Sequence, residues 1–396
     1  MQTIGIIAEY NPFHSGHQYQ LDEIRNTFGR DCAVVCVMSG NWVQRGDAAI
    51  TDKWNRALMA LQGGADLILE LPTLWAASSA ETFARGGVSL LDATGVVNTL
   101  CFGSESGTLA PLEQVVSLLE TTEWQDALRV YINRGLSFPV ARQKAAGDLL
   151  GDNANCLRSP NNNLAIEYLR AMQTLDSSMT PYTIQRLGSS HDGQDTDGQT
   201  HMSASYLRTR IRQNDSAPLL PYLRPEDEAL LRLDSASLIN CTRGVPARLH
   251  AIQAADFLRL PDSGEGLGHK LYLSARKATT LEQLYSLTKS KRYTHARIRR
   301  MVLWAFLGLT ADDRLTLPPY LRVLGFSPRG QQVLRNMKST ASIPVIVKPS
   351  HVSRLDPEPQ RIFHLEARCT ELFDLCRRGF GITPGKNEYT QSPIRV

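Results

Sequence analysis

The chain has 396 residues, a net charge of +4, 42% hydrophobic residues and 21% charged residues. This composition is ordinary for a soluble globular protein with ample apolar material for a core, and the length predicts two domains. No apolar stretch approaches the roughly 20 residues that cross a bilayer, and the N-terminus lacks the basic segment of a signal peptide. We therefore expect a cytoplasmic protein with no membrane partner.

The seven cysteines are odd in number, and they do not form the two CxxC pairs of a zinc site. We expect reduced thiols and predict no metal site built from the protein's own side chains. The small net charge neither requires nor excludes a nucleic-acid partner, so the distribution of charge along the chain must decide. No feature of the sequence indicates an obligate protein partner.

Short apolar runs alternate with helical periods through the first hundred residues. The apolar runs cover residues 4–8, 33–38, 66–71 and 100–102, and the helical periods cover residues 16–27, 52–61 and 79–91. Apolar runs separated by helices are typical of parallel strands that are buried on both faces. The sequence therefore predicts an α/β doubly wound parallel sheet, with a ligand crevice beyond the carboxyl ends of its strands.

Helical patterns dominate the rest of the chain. A further strand is predicted at 182–187 and an exposed loop at 189–199, where Gly, Asp and Ser are frequent. Pro and small polar residues at 213–224 indicate a boundary between an α/β domain at 1–215 and a mainly α-helical domain at 216–396. Helices are predicted in the second part at 225–233, 280–288 and 295–307.

The segment NPFHSGH at 11–17 follows the first predicted strand and opens the first predicted helix. Gly16 allows the backbone to come close to a phosphate, and the helix start offers unpaired N–H groups. His14 and His17 are three residues apart and can both donate hydrogen bonds to the α- and β-phosphates as charge develops. We therefore predict catalytic roles for both histidines rather than two surface residues beside a turn.

A second anion site is predicted in the segment HMSASYLR at 201–208. Ser203 can cap the helix that begins there, and Ser205 and Arg208 lie in its first turns, suited to the β- and γ-phosphates. A helix N-cap and a solvated arginine that bind no phosphate would produce the same sequence. The order of the two motifs favours nucleotidyl transfer, with Ser203 and Arg208 as catalytic residues.

Two charged segments near the predicted crevice allow more than one interpretation. The turn at 44–47 contains Arg45, which could hold a phosphate or an RNA backbone, or could belong to a solvated loop. Lys53 and Arg56 lie on an amphipathic helix, where solvated side chains are the expectation. Trp42 and Trp54 could stack on a base, but we predict that they pack in the core.

A basic run near residue 290 favours RNA as a partner. The segment from Lys270 to Arg300 contains nine Lys or Arg residues and one acidic residue, Glu282. Basic residues around Tyr293 suit phosphate contacts combined with base stacking. The alternative interpretation is a solvated helix face that binds no RNA. The predicted RNA-binding residues are Lys289, Lys291, Arg292, Arg297, Arg299 and Arg300.

The two motifs resemble those of the HxGH nucleotidyltransferase superfamily, and longer segments resemble one family, the bacterial tRNA(Met) cytidine acetate ligases. In the first part the segments are EYNPFHSGH (9–17), MSGNWVQRGDAA (38–49), KWNRALMALQGGADLILELP (53–72), FGSESG (102–107), SPNNNLAIEYLRAM (159–172) and SASYLR (203–208). In the second part they are EGLGHKL (265–271), KSKRYTHARIRRMVL (289–303) and RVLGFSPRG (322–330). The resemblance covers nearly the whole chain.

The resemblance implies a Rossmann-like (HUP) nucleotidyltransferase domain and a tRNA-binding domain. It implies that ATP, with Mg²⁺, activates acetate as acetyl-adenylate, and that the acetyl group passes to the wobble cytidine of elongator tRNA(Met). Asn163 departs from the family pattern, which leaves Asn161 and Asn162 as alternative ATP ligands. The implied ATP site consists of Ile7, Ala8, Glu9, Tyr10, Asn11, Pro12, Phe13, His14, Ser15, Gly16, His17, Gln18, Tyr19, Gln20, Gly103, Asn161 or Asn162, and Arg186.

Two other functions fit parts of this pattern. A metabolite adenylyltransferase of the same superfamily would not need the long basic extension. A non-catalytic RNA-binding protein on a degenerate scaffold would not need intact His14, Gly16, His17 and Arg208. ATP–pyrophosphate exchange separates the three functions, because it would depend on acetate, depend on another substrate, or be absent.

Overall fold

A computed structural model describes residues 1–186, 202–213, 215, 219, 222–378 and 388–396. The predicted loop at 189–199, His201, and parts of the predicted boundary at 213–224 lie outside the described residues. Its strands are β1 (Thr3–Ala8), β2 (Ala33–Ser39), β3 (Trp42–Val43), β4 (Asp47–Ala48), β5 (Leu67–Leu71), β6 (Thr99–Ser104), β7 (Thr180–Gln185), β8 (Leu321–Phe326), β9 (Val345–Ile346) and β10 (Ile394–Arg395).

Helices make up most of the remaining described residues. The helices of the first half are α1 (Ser15–Phe28), α2 (Lys53–Gln62), α3 (Thr73–Ala76), α4 (Ala80–Ala93), α5 (Ala110–Leu119), α6 (Thr122–Asn133), α7 (Phe138–Leu150), α8 (Pro160–Thr174) and α9 (Ala204–Arg212). Those of the second half are α10 (Pro225–Leu233), α11 (Gly244–Ala251), α12 (Ala254–Leu258), α13 (Leu267–Ala275), α14 (Leu281–Thr288), α15 (His295–Leu307), α16 (Pro328–Thr340) and α17 (Pro357–Asp374). Short 3₁₀ turns lie at Gly151–Arg158, Leu238–Cys241, Ala311–Asp313 and Pro349–Arg354.

The central sheet confirms the predicted α/β doubly wound architecture. Its parallel part has the order β5-β2-β1-β6-β7. Every residue of β2 is buried, because helices cover both faces of the sheet. The chain leaves β1 toward β2 on one side and reaches β6 on the other, so the direction of winding reverses between β1 and β6. A crevice opens at the carboxyl ends of strands at such a switch point.

The second half of the chain adds strands to the same sheet, which the sequence analysis did not predict. Strand β8 pairs antiparallel with β5, and β9 and β10 pair parallel with β8. All six residues of β8 are buried, so its sequence lacks the alternation that marks a half-buried strand. The sheet is therefore mixed, and the division into two domains at residue 215 stays a prediction.

The core lies on both faces of the sheet and continues into the C-terminal helices. Helices α4 and α8 cover one face, and buried residues of α13, α14, α15 and α17 belong to the same apolar cluster. Trp304 of α15 donates from its indole nitrogen to the carbonyl of Ala77 at 2.7 Å. Trp42 and Trp54 are buried, which confirms their predicted packing role.

Three further findings concern the described residues only. None of their helices is long and apolar enough to cross a membrane. They contain no cluster of three or more His, Cys, Asp or Glu side chains placed to hold a metal ion. The seven cysteines are free thiols, and five of them are buried.

Candidate functional site

A cleft with a volume of about 240 Å³ lies at the carboxyl ends of β1 and β6. It occupies the switch point of the sheet, where α/β proteins bind ligands. Among the described residues, the lining consists of Ile7, Ala8, Glu9, Tyr10, Asn11, His14, His17, Gln20, Arg45, Phe83, Phe102, Gly103, Asn161, Leu164, Tyr168, Arg186, Ser203, Ala204, Ser205 and Arg208.

His14 and His17 cap the start of α1 and face the cleft together. The Nδ1 atom of His14 accepts a hydrogen bond from the Gly16 N–H at 3.0 Å, and Nδ1 of His17 accepts from the His14 N–H at 3.3 Å. A neutral imidazole whose Nδ1 accepts carries its proton on Nε2. Each ring therefore carries its N–H at Nε2. A side chain at Gly16 would lie 2.9 Å from Cε1 of His14, so this position admits only glycine without displacing that ring.

Burial keeps His17 neutral. Desolvation lowers the pKa of His17 well below its usual value, and the neighbouring His14 and Arg186 lower it further. The neutral ring preserves both the cap at Nδ1 and the donor at Nε2. His17 is thus preorganised as a hydrogen-bond donor, without a charge that must be desolvated first.

The free energy of unfolding is expected to decrease as the pH falls below about 6.5, the ordinary histidine pKa. Below that value the unfolded chain binds more protons than the folded protein, whose His17 pKa is lower, so folding is disfavoured progressively. His17→Gln should flatten this dependence, because glutamine at the same capping-box position accepts the bond without titrating. Denaturant unfolding across this pH range compares the two proteins. Parallel curves would contradict the assignment, since all other histidines are common to both.

The second motif forms the adjacent wall of the cleft. Ser203 caps α9 by accepting from the Tyr206 N–H at 3.1 Å. Arg208 donates to the carbonyl of Asn11 at 2.6 Å and to the Ser205 hydroxyl at 3.0 Å. Burial lowers the pKa of Arg208 to about 10, so the guanidinium remains charged at neutral pH. The start of α9 and this cation therefore form one wall of the cleft, and their role as a second anion site stays a prediction.

Residues at the ends of β6 and β7 and at the start of α8 complete the cleft. Gly103 and Arg186 line it, and burial lowers the Arg186 pKa while nearby Glu105 raises it. Asn161 also lines the cleft and donates to Oε1 of Glu105 at 3.0 Å. The side-chain oxygen of Asn162 accepts from the Glu105 N–H at 3.1 Å, so that residue holds the loop after β6. Of the two asparagines, Asn161 is the one that reaches the cleft.

The segment at 7–20 divides between the cleft and its surroundings. Six of its residues are outside the cleft lining: Pro12, Phe13, Ser15, Gly16, Gln18 and Tyr19. Phe13, Ser15, Gln18 and Tyr19 line a separate depression beside Tyr222. Their implied contact with ATP stays a prediction.

An apolar wall of the cleft was not foreseen from the sequence. It consists of Phe83, Phe102, Leu164 and Tyr168, and the rings of Phe102 and Tyr168 lie 5.8 Å apart. Asn161 precedes Leu164 by three residues and Tyr168 by seven, a spacing that puts all three on one face of α8. This spacing in the sequence could have indicated that Leu164 and Tyr168 line the same cleft as Asn161.

Lys53 and Arg56 are buried, so the prediction that they are solvated is wrong. Arg56 donates to the carbonyls of Glu9 at 2.6 Å and Ser39 at 3.0 Å, which joins the ends of β1 and β2 below the cleft. Lys53 forms ion pairs with Glu70 at 2.6 Å and with Glu388. Both cations support the strand ends from inside the protein.

The six predicted RNA-binding residues form two groups. Lys291, Arg292 and Arg299 are exposed, and Arg299 also lies over the ring of Tyr285 at 5.5 Å. Three others make internal contacts: Arg297 pairs with Glu265 at 2.7 Å, Arg300 pairs with Asp262 at 3.0 Å, and Lys289 donates to the carbonyl of Tyr293 at 2.5 Å. Exposed cations suit contact with a large anionic partner, whereas the paired ones also hold the segment in place.

The basic helix α15 packs directly against the turn at 44–47. Gly46 has a φ of +74°, and a Cβ at this position would lie 2.5 Å from backbone atoms of Arg299 and Arg300. Arg45, the preceding residue, lines the cleft. The turn therefore lies between the cleft and the basic segment.

Gly46→Ala is expected to destabilise the protein by more than the ~1–2 kcal/mol that a left-handed backbone costs an alanine. The added methyl group must also displace the backbone of Arg299 and Arg300. Gly135→Ala is the matched control, because Gly135 has a φ of +81° and open space around the new Cβ. Denaturant unfolding measures both variants. Equal losses of stability would show that the turn does not pack tightly on α15.

The fold and the cleft are those of a nucleotidyltransferase. In agreement, residues 1–384 match the HIGH nucleotidyl transferase family. Three similar proteins are each named tRNA(Met) cytidine acetate ligase. That of Clostridium novyi is 37% identical over 88% of this chain and 90% of its own length. That of Clostridium perfringens is 35% identical over 100% and 99%, and that of Acetivibrio thermocellus is 34% identical over 100% of both. The chain belongs to the tRNA(Met) cytidine acetate ligase family, as its motifs predicted.

Solved structures agree over the whole chain. The apo crystal structure of Thermotoga maritima TmcAL is similar with a TM-score of 0.93 and 28% identity, covering 100% of both chains. A second crystal structure of that protein, bound with alpha-thio ATP, has a TM-score of 0.90 and 28% identity, covering 100% of this chain and 99% of the other. The similarity thus includes the C-terminal strands that join the sheet.

Proposed function

We propose that the protein activates acetate with ATP and transfers the acetyl group to N4 of the wobble cytidine of elongator tRNA(Met), forming N4-acetylcytidine. The observation that carries the proposal is the convergence of His14, His17 and Arg208 on one cleft in a member of this family. Such a site suits reactions in which negative charge develops on phosphate oxygens. We further propose that the reaction takes place in the cytoplasm.

The chemistry requires two steps. In the first, an acetate oxygen attacks the α-phosphorus of ATP, the bond to the bridging oxygen breaks, and pyrophosphate leaves. His14 and His17 donate hydrogen bonds to the α- and β-phosphate oxygens, and Ser203 and Arg208 hold the β- and γ-phosphates. In the second, N4 of the cytidine attacks the acyl carbon, AMP leaves with the electron pair of the C–O bond, and N4 loses a proton. Positioning of the reactants contributes much of the rate in both steps.

Of the implied ATP ligands, we propose that Asn161 contacts the nucleotide and that Asn162 positions the loop behind it. Gly103 and Arg186 border the same part of the cleft. The Mg²⁺ ion that accompanies ATP would be held mainly by phosphates and water, as Mg²⁺ prefers. Among the described residues that line the cleft, Glu9 is the one carboxylate, and it accepts a hydrogen bond from the Gln44 N–H at 2.7 Å.

We propose that the tRNA binds to the basic segment and reaches the cleft across the turn at 44–47. Residues 216–396 would provide most of the tRNA-binding surface. The exposed cations Lys291, Arg292 and Arg299 support this proposal, because sequence-independent contacts with phosphates use such side chains.

Two measurements test the proposed function. The purified protein should catalyse ATP–pyrophosphate exchange that depends on acetate. Mass spectrometry of tRNA nucleosides from a deletion strain should show the loss of N4-acetylcytidine. Exchange with a different substrate would identify a metabolite adenylyltransferase, and no exchange with any acid would identify a non-catalytic protein.

A further inference from the structure

Arg45 lies on the turn between β3 and β4 and lines the cleft beside Ser203, Ser205 and Arg208. The sequence left its role open between a phosphate contact, an RNA contact and a solvated loop. Its position beside the second motif brings it to the wall that faces the outer phosphates in the proposed mechanism. That position favours a role in the activation of acetate.

The backbone of the turn that carries Arg45 is fixed by hydrogen bonds within the turn and to two other parts of the chain. Glu9 accepts from the Gln44 N–H at 2.7 Å, and the Gly46 N–H donates to the carbonyl of Val43 at 2.9 Å. Oδ1 of Asp47 accepts from the Leu238 N–H at 2.8 Å. The backbone at Arg45 is therefore fixed, and its exposed side chain lies where the turn borders the cleft. A ligand in the cleft can meet this cation without a movement of the chain.

The charges around the turn indicate an anionic ligand. Among the described residues that line the cleft, the charged ones are Glu9, Arg45, Arg186 and Arg208, which is three cations to one anion. Besides burial, Arg212 and Arg45 lower the pKa of Arg208, whereas Glu9 and Asp47 raise it, so Arg45 lies near Arg208 in a mixed field of charges. An anion with several negative charges bound between Arg45 and Arg208 would be attracted by both guanidinium groups.

We infer that Arg45 is a further catalytic residue, which binds the β- and γ-phosphates of ATP and stabilises the departing pyrophosphate. The inference rests on the proposed function. When the bond between the α-phosphorus and the bridging oxygen breaks, its electron pair stays on the pyrophosphate. Arg45 and Arg208 then face the growing charge together. A guanidinium is suited to this role because its planar donors match two phosphate oxygens at once.

Arg45→Ala tests the inference through ligands that differ only in the outer phosphates. Calorimetric binding of ATP should weaken at least tenfold, whereas the affinity for AMP should stay unchanged. In acetate-dependent exchange, the rate should fall by about 10²–10³-fold and the KM for pyrophosphate should rise. Arg45→Lys should recover part of the ATP affinity, since the charge remains but the planar fork is lost. Arg129→Ala is the control, because Arg129 is 73% exposed and lies on peripheral helix α6.

The outcomes distinguish this inference from the proposed function. If ATP and AMP weaken equally, or if neither changes, Arg45 does not bind the outer phosphates and the inference is overturned. Normal ATP binding and exchange combined with poor acetyl transfer to tRNA would also overturn it, because Arg45 would then serve the RNA. If the unaltered protein showed no acetate-dependent exchange, the proposed function would fail. The comparison of ATP with AMP would still decide whether Arg45 binds phosphate.

Discussion

Replacing His14 or His17 with alanine is expected to lower acetate-dependent ATP–pyrophosphate exchange by about 10²–10³-fold, the usual cost of losing one preorganised donor. Both rings line the cleft, and both use Nδ1 to accept from the start of α1. The proton of each neutral ring is therefore on Nε2, the atom that we expect to donate to the phosphate oxygens. Exchange measured with saturating ATP and acetate tests the expectation.

His14→Asn separates catalysis from helix capping. Alanine at an N-cap costs about 1 kcal/mol, so His14→Ala loses stability as well as a donor. Asparagine is among the best N-cap residues and can still accept from the Gly16 N–H, but its shorter side chain does not place a donor where Nε2 lies. We expect His14→Asn to unfold like the unaltered protein and to be as inactive as His14→Ala. Near-normal exchange by this variant would remove His14 from the mechanism.

The strands and helices that surround the cleft could be predicted because their signals are local. Apolar runs and helical periods located β1, β2, β5 and β6 to within about two residues, and α15 was predicted with the bounds it has, His295–Leu307. The first motif was informative for the same reason, since a strand, a glycine and a helix start occur within a few residues. Local patterns of this kind do not depend on distant partners.

Burial that depends on distant partners could not be predicted. Lys53 is buried because Glu70 and Glu388 come to it from elsewhere in the chain, and Glu388 is 335 residues away. Arg56 is buried because carbonyls at the ends of two strands accept its hydrogen bonds. On the sequence, each looks like an ordinary cation on an amphipathic helix. A cation that is buried with its partners is indistinguishable from a solvated one until the partners are known.

The helical phase at the start of α8 was also beyond the sequence. Three consecutive asparagines differ in role only by the direction each side chain takes. Asn161 reaches the cleft, Asn162 holds Glu105, and Asn163 donates to the carbonyls of Leu157 and Ser159. Asn163, the residue that departs from the family pattern, thus has its side-chain amide hydrogen-bonded to nearby backbone carbonyls, away from the cleft.

Replacing Lys291, Arg292 and Arg299 together with alanine is expected to divide the two steps of the reaction. All three side chains are exposed and lie outside the cleft. Each lost phosphate contact should reduce the slope of log K against log salt for tRNA binding by roughly 0.7–0.9. Acetate-dependent exchange should stay normal, because ATP and acetate bind in the cleft. Acetyl transfer to tRNA should fall sharply.

The paired arginines of the same segment provide the matched control. Arg297 and Arg300 hold Glu265 and Asp262, so Arg297→Ala and Arg300→Ala should lower the thermal stability of the protein as well as any tRNA affinity. The triple variant of exposed residues should keep a nearly normal melting temperature, because it breaks no ion pair of the described residues and loses only the contact of Arg299 with the Tyr285 ring, worth ~0.5–1 kcal/mol at an exposed site. A normal melting temperature with weak, less salt-dependent tRNA binding would assign the exposed residues to the RNA surface. If tRNA binding kept its strength and its salt dependence, the RNA would have to bind to another face of the protein, and the turn at 44–47 would not be its route to the cleft.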